Sequence, residues 1–353
     1  MAIFFGIYLL LCLSGVRFRK GQQGLDTYLT KEHTQAEKGI FILLVFFSHF
    51  GAYVSCTSYP DLLSQRVISW FGQAMVAMFL FYSGFGVMES IGKKGRSYVR
   101  AMPHKRGLST LLRFDCAVVL YALVALAVSS EISLGDFFQA LIGWKSIGNS
   151  NWYIFDILVL YLITYATFSW FREEKAAMLA VLAGSCLMML LLRTVGGKAV
   201  HWYDTVLCYW LGMVYSVERE RIEKRFRERN GFWFVWVAVL LGVSHVLSGV
   251  SHIAQLAIVR NLCFAGFVVL LTMHVQISGR VLSWCGRNLF PLYILQRIPM
   301  ILLKSAGLAQ HSIPAYFLSC GLITLVLVFP FTWVTDRIVA AVGRIPGSAG
   351  GVK

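Results

Sequence analysis

The chain has 353 residues, of which 58% are hydrophobic and 14% are charged, and its mean hydropathy is +0.67. This balance excludes a soluble globular domain of that length and predicts a polytopic membrane protein. The formal net charge of +15 lies in short clusters between apolar runs, a pattern typical of membrane-flanking loops and not of a nucleic-acid-binding surface.

Apolar runs long enough to cross a bilayer as helices follow one another along the whole chain. About eleven such runs can be placed, at residues 1–16, 39–56, 68–90, 108–129, 152–171, 177–193, 200–217, 231–249, 253–276, 288–303 and 315–335. Only short connections remain between them, so no separate soluble catalytic domain fits. The sequence therefore predicts an all-α, polytopic bundle of about eleven transmembrane helices.

The distribution of cations predicts the orientation of this bundle. Arg17, Arg19 and Lys20 follow the first apolar run at once and no cation precedes it, which is the reverse of a secretory signal. Most other Lys and Arg residues fall in alternate loops on the same side. Because basic loops remain in the cytoplasm, we expect a multi-pass protein with its N-terminus outside and its C-terminus inside.

The same reading divides the chain into three parts. We expect residues 1–30 to form an extra N-terminal transmembrane helix with a basic inner linker, and residues 31–338 to form the main membrane domain. The Gly-rich residues 339–353 are expected to form a flexible cytoplasmic tail. The eight cysteines are scattered without a CxxC pair, so neither a disulfide framework nor a metal site is predicted.

Two ionisable residues in the second apolar run share one face of the predicted helix. Lys38 and His49 are eleven positions apart in KGIFILLVFFSHF, which is about 16 Å of rise and about 20° beyond three full turns. Ionisable groups inside a bilayer are costly and usually face the bundle interior or a pathway. We therefore expect a common tunnel, in which Lys38 holds the anionic end of a substrate and His49 meets its reactive end. A histidine that only hydrogen-bonds a neighbouring helix is the alternative.

Several stretches resemble one membrane protein family. TQAEKGIFILLVFFSHF is similar to the opening helix of acyltransferase family 3, in which a basic residue, ten residues and a histidine form the signature. FLFYSGFGVMES, IGNSNWYIFDILVLYLITY, WLGMVYS and GRNLFPLYILQRIP resemble later segments of that family in the same order. The resemblance spans about residues 30 to 335 and implies a ten-helix core, to which this chain adds one N-terminal helix.

The resemblance also implies an activity. Members of the family acylate, most often O-acetylate, sugars of surface or exported polysaccharides and take the acyl group from cytoplasmic acyl-CoA. It makes His49 the catalytic residue, either as a general base on the acceptor hydroxyl or as a transient acyl carrier. The implied partners are the lipid bilayer of a bacterial inner membrane, acetyl-CoA as a donor substrate and a carbohydrate acceptor, with no tightly bound cofactor and no nucleic acid.

Three positions depart from the family pattern. Lys38 stands where the family commonly has arginine, which replaces a planar fork with a point charge. Gln296 in LYILQ stands where the family often has a second histidine, so no second catalytic histidine is expected. Arg106 matches the first of a pair of arginines at the start of the third family helix, but Ser109 stands at the second position.

The loop after the second family helix is a candidate site for the phosphates of coenzyme A. It carries four cations with the donors that phosphate requires, namely Arg100, Lys105, Arg106 and, further into the membrane, Arg113. Alternatively, these residues are ordinary inside-loop cations, which any span end attracts.

The segment GNSNWYI is the candidate acceptor site. Asn149, Ser150 and Asn151 are expected to cap the following helix, while Trp152 and Tyr153 belong either to an aromatic belt or to a sugar platform. Sugar rings lie flat on aromatic side chains and amides bond their hydroxyls. Two further residues complete the predicted substrate-binding set, a carboxylate one turn on and a cation within a late span, Asp156 and Arg297.

Two other patterns have structural explanations. Ser83, Gly84 and Gly86 in SGFGVMES predict close packing of helices. His245 and His252 are about 10 Å apart if helical, too far to bind one metal ion together. The main alternative function is a transporter or flippase for a glycan, in which buried charges line a permeation path, and a pH-sensing scaffold is a weaker one.

Overall fold

The structure is a computed structural model that describes residues 1–18, 27–228 and 230–343. Its first nine helices are α1 (Ala2–Ser14), α2 (Lys31–Gly51), α3 (Tyr59–Phe71), α4 (Ala74–Lys94), α5 (Arg96–Met102), α6 (Ser109–Ala127), α7 (Leu134–Leu141), α8 (Trp152–Trp170) and α9 (Glu174–Thr194). A π-helical turn over Pro103–Leu108 joins α5 to α6, and a short 3-10 turn, Val200–Trp202, follows α9.

The remaining helices are α10 (Val206–Glu228), α11 (Asn230–Ser248), α12 (Ala254–Thr272), α13 (Arg280–Arg287), α14 (Leu289–Leu295), α15 (Arg297–Ser305), α16 (Leu308–His311) and α17 (Ile313–Gly343). Two three-residue strands, β1 (Val16–Phe18) and β2 (Val275–Ile277), form one antiparallel pair with Val16 opposite Ile277. This pair joins the end of α1 to the end of α12.

The prediction of an all-α polytopic membrane protein is confirmed. Within the described residues, six helical segments are long and apolar enough to cross a membrane. They are Tyr59–Lys94, Arg96–Ala127, Trp152–Trp170, Glu174–Thr194, Ala254–Thr272 and Ile313–Gly343. The helix α1 is apolar but has 13 residues, about 20 Å, which is shorter than the roughly 30 Å of a bilayer core.

The helix boundaries differ from the predicted runs in three places. The helix α2 begins at Lys31, because the polar stretch before the apolar run is also helical. The run predicted at 288–303 is broken between α14 and α15 at Gln296. The helix α17 continues to Gly343, so residues 339–343 of the predicted tail are helical, while residues 19–26 of the predicted linker and residues 344–353 lie outside the described residues.

Glycine contacts between α4 and α10 bring these two helices together. A Cβ added at Gly84 would lie inside van der Waals distance of the Tyr209 carbonyl oxygen, and one added at Gly212 would meet the Phe81 carbonyl oxygen. The predicted role of Gly84 in close packing is therefore confirmed. For Gly86 the prediction is wrong, since a Cβ there has open space within 4 Å.

A second pair of glycines fixes α2 against α13. Gly39 lies against the backbone of Leu282, and Gly286 lies against the backbone of Gln35, so neither position has room for a Cβ. Because Gly39 follows Lys38 directly, this contact determines the rotation of α2 at the level of the lysine. The position of His49 follows from the same rotation, three turns further along the helix.

Candidate functional site

Lys38 and His49 lie in two separate cavities at opposite ends of α2. The His49 cavity has a volume of about 480 Å³ and is lined by His49, Gln73, Trp144, Lys145, Ser146, Asn149, Ser150, Asn151, Trp152, Lys198, His201, Trp202 and Arg297. The Lys38 cavity has a volume of about 490 Å³ and is lined by Leu29, Thr30, Lys31, Thr34, Lys38, Tyr82, Phe85, Gly86, Glu89, Lys93 and Arg219. The two cavities have no lining residue in common, so a common tunnel between Lys38 and His49 stays a prediction.

His49 lines its cavity and has one ring nitrogen without a partner in the described structure. Its Nδ1 atom is buried and has no hydrogen-bond partner among the described residues. The imidazole lies 6.2 Å from the ring of Tyr293, centroid to centroid, and the guanidinium of Arg297 acts on it electrostatically. A buried imidazole nitrogen without a partner is costly.

Arg297 is directed to the His49 cavity by the break between α14 and α15. Its Nε donates a hydrogen bond of 3.0 Å to the hydroxyl of Tyr53, and Nη1 lies 3.4 Å from the Asn149 carbonyl oxygen. Gln296 is buried at this break and donates to the Tyr293 carbonyl oxygen at 3.1 Å. The guanidinium of Arg297 is hydrogen-bonded to neutral groups only, so no carboxylate among these contacts neutralises its charge.

The loop before α8 forms one wall of the His49 cavity. Asn149 accepts from the Ile147 amide at 3.1 Å, and its Nδ2 atom has no partner within the described part of the chain. Asn151 donates to the Gly143 carbonyl oxygen at 2.7 Å and makes no side-chain bond to the helix that it precedes. The prediction that Asn151 caps α8 is therefore wrong, because its amide closes the loop instead.

Tryptophan side chains form the opposite wall. The ammonium group of Lys198 lies between the rings of Trp144 and Trp202, 3.9 and 4.1 Å from their centroids, and donates to the Trp144 carbonyl oxygen at 2.8 Å. Trp152 makes an edge contact of 6.0 Å with the ring of His201. Of these residues, only Trp152 was predicted from the sequence. The signal for the others was the aromatic and cationic composition of the two loops that flank α8 and α9.

A chain of aromatic side chains, here called the aromatic partition, leads from the Lys38 cavity to His49. It consists of Tyr82, Phe79, Tyr153 and Tyr293, all of them buried. Tyr82 lines the Lys38 cavity, and Phe79 lies one turn along the same face of α4. Edge contacts then lead from Phe79 to Tyr153 at 6.1 Å and from Tyr153 to Tyr293 at 5.4 Å, beside His49.

Residues 37–333 match the profile of acyltransferase family 3, which is described as an acyltransferase domain. This match covers most of the chain and contains both Lys38 and His49. The chain belongs to acyltransferase family 3. It is thus a membrane acyltransferase, as the resemblance predicted. No curated protein and no solved structure shows a significant match to the chain.

The Lys38 cavity of the acyltransferase is cationic. Lys93 is paired with Glu89 at 3.1 Å, and Arg219 is paired with Glu223 at 2.6 Å. The ammonium group of Lys38 lies 5.2 Å from the ring centroid of Tyr82, whose hydroxyl donates to the neighbouring carboxylate of Glu37. Among the cavity residues, Lys31 and Lys38 form no direct ion pair within the described ranges, although the buried carboxylate of Glu37 attracts Lys38 electrostatically.

The other predicted phosphate ligands lie outside the Lys38 cavity. Arg100 and Lys105 are exposed. Arg106 bonds the hydroxyl of Tyr98 at 3.2 Å and is near enough to Lys38 for the two cations to repel each other. Arg113 forms an ion pair of 2.7 Å with Asp336 of α17. The cations that line the cavity with Lys38 are Lys31, Lys93 and Arg219, none of which was predicted from the sequence as a phosphate ligand.

Two predicted acceptor residues also lie outside the His49 cavity of the acyltransferase. Tyr153 belongs to the aromatic partition. Asp156, one turn further into α8, is fully buried, and neither of its carboxyl oxygens has a hydrogen-bond partner in the described structure. Asn151, Trp152 and Arg297 thus line the same cavity as His49, whereas Tyr153 and Asp156 do not line it.

Proposed function

We propose that this acyltransferase transfers an acetyl group from cytoplasmic acetyl-CoA, bound at the Lys38 cavity, to a sugar hydroxyl in the His49 cavity. The observation that carries the proposal is that one helix, α2, presents a cation to one cavity and an imidazole to a second cavity at its other end. With the orientation expected from the basic loops, the Lys38 cavity faces the cytoplasm and the His49 cavity faces the outside of a bacterial inner membrane.

The charges of the Lys38 cavity suit the donor. Coenzyme A carries phosphate groups, and Lys31 and Lys38 provide ammonium groups without an ion pair in the described ranges. Charge-assisted hydrogen bonds to phosphate are the strong ones, and lysine binds phosphate as a point charge. Lys93 and Arg219 add to the positive potential although each is partly neutralised by a glutamate.

The transfer step uses His49 as a base. The sugar hydroxyl oxygen attacks the thioester carbonyl carbon while an imidazole nitrogen of His49 accepts the hydroxyl proton. The resulting tetrahedral intermediate expels the coenzyme A sulfur as the C–S bond breaks, and the imidazolium returns its proton to that sulfur. An oxygen ester and the free thiol are the products. In the alternative order, the imidazole carries the acetyl group first and passes it to the hydroxyl second.

Residues beside His49 have complementary roles in this proposal. Arg297 and the unpartnered Nδ2 of Asn149 line the cavity and are donors for the oxygen that becomes negative in the tetrahedral intermediate. The rings of Trp144, Trp152 and Trp202 offer flat apolar faces to a sugar. The acceptor class that fits is a carbohydrate of a surface or exported glycan.

The aromatic partition defines what must move during the reaction. Lys38 and His49 are about 16 Å apart along the axis of α2, and the buried rings of the aromatic partition lead from one to the other. The thioester end of the donor therefore reaches His49 only when these rings turn aside.

Replacement of His49 tests the proposal. In His49→Ala and His49→Gln, we expect the transfer of radiolabelled acetyl groups from acetyl-CoA to the glycan to fall about a hundred- to ten-thousandfold, the range for loss of a general base. His311→Ala is the matched control, since His311 is exposed and lines neither cavity. Base-labile acetate on the exported glycan is the cellular measurement.

The same variants separate the enzyme from a transporter. An acyltransferase without its base should export glycan in normal amounts but without ester-linked acetyl groups. Loss of export in His49→Ala, with the remaining glycan normally acetylated, would instead favour a transporter whose buried charges line a permeation path.

A further inference from the structure

A third cavity adjoins the His49 cavity. The Arg260 cavity has a volume of about 730 Å³ and is lined by Arg66, Ser69, Trp70, Gly72, Gln73, Ala199, Val200, His201, Asp204, Ser248, Ser251, His252 and Arg260. Gln73 and His201 line both cavities. A chain of sugars that enters the His49 cavity therefore has a second space directly beside it.

The guanidinium of Arg260 is buried without a carboxylate partner. Arg260 is 4% exposed and donates to the carbonyl oxygens of Trp70 and Phe71, the latter at 3.1 Å. Its Nε atom has no hydrogen-bond partner among the described residues. A cation inside a membrane helix is expensive and faces a partner or a cavity. Here it faces a cavity with part of its donor capacity unused.

The remaining charges of the Arg260 cavity leave an excess of positive charge. Arg66 is exposed at the same cavity, together with His252. Asp204 is the one carboxylate among the described lining residues, and it attracts Arg260 electrostatically without a direct ion pair. A single carboxylate offsets at most one of the two arginines.

The lining of the neighbouring His49 cavity also has an excess of positive charge. Its lining includes Lys145, Lys198 and Arg297, and it contains no carboxylate within the described residues. Lys145 is paired with Asp136 outside the cavity, whereas Lys198 and Arg297 contact neutral groups. Each of the two adjoining cavities therefore has more cations than carboxylates in its described lining, which favours a negatively charged ligand.

We propose that the Arg260 cavity binds an anionic group, carboxylate or phosphate, of the acceptor glycan while the hydroxyl to be acylated lies at His49. This assignment rests on the proposed function, because it places the acceptor in the His49 cavity. The planar guanidinium matches both kinds of anion. The unpartnered Nε1 of Trp70 and Oε1 of Gln73 provide a donor and an acceptor for sugar hydroxyls.

Binding of matched acidic and neutral sugars tests the assignment. The full-length protein in phosphatidylcholine nanodiscs is titrated with tri-galacturonate and with its neutral methyl ester, and then with glucose 6-phosphate and with glucose. We expect at least one acidic probe to bind about tenfold or more tightly than its neutral partner, the effect expected of one charge-assisted hydrogen bond. The pair that shows the difference identifies carboxylate or phosphate as the group bound.

Variants locate the preference in the Arg260 cavity. Arg66→Gln and Arg66→Glu should reduce it several-fold, and Arg66→Glu should reduce it more. Arg193→Gln is the control, because Arg193 is an exposed cation at the end of α9 and lines neither cavity. Arg260→Gln should abolish the preference. Because Arg260 is buried, Arg66 keeps the test valid if that variant fails to fold.

The contrary outcomes are distinct. Equal affinity for the acidic and neutral partners in both pairs, or a preference unchanged in Arg66→Glu, would overturn the assignment. The assignment would also be overturned if the preference vanishes in nanodiscs that contain phosphatidylglycerol and this lipid binds the protein through Arg66. The arginines would then bind lipid headgroups. Acidic-probe binding without acetyl transfer would count against the proposed function alone, whereas transfer to neutral and acidic acceptors alike would count against this assignment alone.

Discussion

The Lys38 cavity and the His49 cavity are similar in volume but differ in how they are built. Helices α2, α4 and α10 supply most of the Lys38 cavity, and its charged lining consists of four cations and one carboxylate. The His49 cavity is formed mainly by loops, 144–152 and 198–202, and its lining combines tryptophans with amide groups and cations. The first arrangement suits phosphate groups, which every acyl-CoA shares. The second suits a sugar, and loops are where recognition is most easily varied.

The largest effect that separates the two cavities is expected from the lysine. In Lys38→Gln, the KM for acetyl-CoA should rise about 10- to 100-fold, the range for loss of one charge-assisted hydrogen bond. The KM for the acceptor should stay unchanged, because Lys38 does not line the His49 cavity. Lys38→Arg should retain most of the affinity, since arginine also binds phosphate. Steady-state kinetics with each substrate varied in turn provide the measurement.

Arg100→Gln is the control for this prediction. Arg100 is an exposed cation of the loop that the sequence selected as a phosphate site, but it does not line the Lys38 cavity. Its removal should leave the KM for acetyl-CoA nearly unchanged. If Arg100→Gln raises this KM as strongly as Lys38→Gln does, the donor binds at the loop and the Lys38 cavity has another role.

A smaller effect, on stability, tests which part of α4 packs against α10 and which part forms the wall of the Lys38 cavity. Gly84 and Gly86 lie two residues apart on α4, the first against the Tyr209 backbone and the second in the open cavity wall. Gly84→Ala should lower the stability by about 1–3 kcal/mol, because the added Cβ forces α4 and α10 apart. Gly86→Ala should leave it unchanged or raise it by up to about 1 kcal/mol through helix propensity. Thermal unfolding in one detergent compares them.

Equal melting temperatures for the two alanine variants would contradict this packing. A lower melting temperature for Gly86→Ala than for the unmodified protein would also contradict it, because the added methyl group would then have no open space in the cavity wall. The KM for acetyl-CoA in Gly86→Ala adds a second measurement, because a methyl group in the cavity wall should change donor binding only slightly.

Helical geometry predicted the central relation of the site from sequence. The spacing of Lys38 and His49 placed both on one face of α2, and each does line a cavity. The apolar runs likewise predicted where helices occur, because periodicity and length are local properties. The break at Gln296 was not predicted, although a local signal was present, since Gln296, Arg297 and Pro299 interrupt the apolar run. Proline has no backbone N–H and its ring disturbs the preceding turn of a helix.

Partners distant in sequence account for most of what the sequence did not predict. Arg113 was selected as a phosphate ligand, but it is bound to Asp336, and a single sequence does not pair residues that far apart. Lys198 was not selected because its environment is formed by Trp144 and Trp202, which belong to different loops. Composition identified the type of loop at each place, and only the fold showed which loops meet.

The smallest effect concerns the acceptor wall of the His49 cavity. In Trp152→Leu, the KM for the glycan should rise about two- to tenfold, because aromatic contacts contribute about 0.5–1.5 kcal/mol beyond burial. The KM for acetyl-CoA should not change, since Trp152 does not line the Lys38 cavity. Kinetics with each substrate varied in turn again provide the measurement.

Trp170→Leu is the matched control, because Trp170 lies at the other end of the same helix α8 and is 83% exposed. If both tryptophan variants change the glycan KM alike, the effect belongs to α8 as a whole and the wall around Trp152 does not bind sugar. If Trp152→Leu raises the KM for acetyl-CoA as well, donor and acceptor share one space. The aromatic partition would then be open in the working enzyme, and the division into two cavities would describe only its resting state.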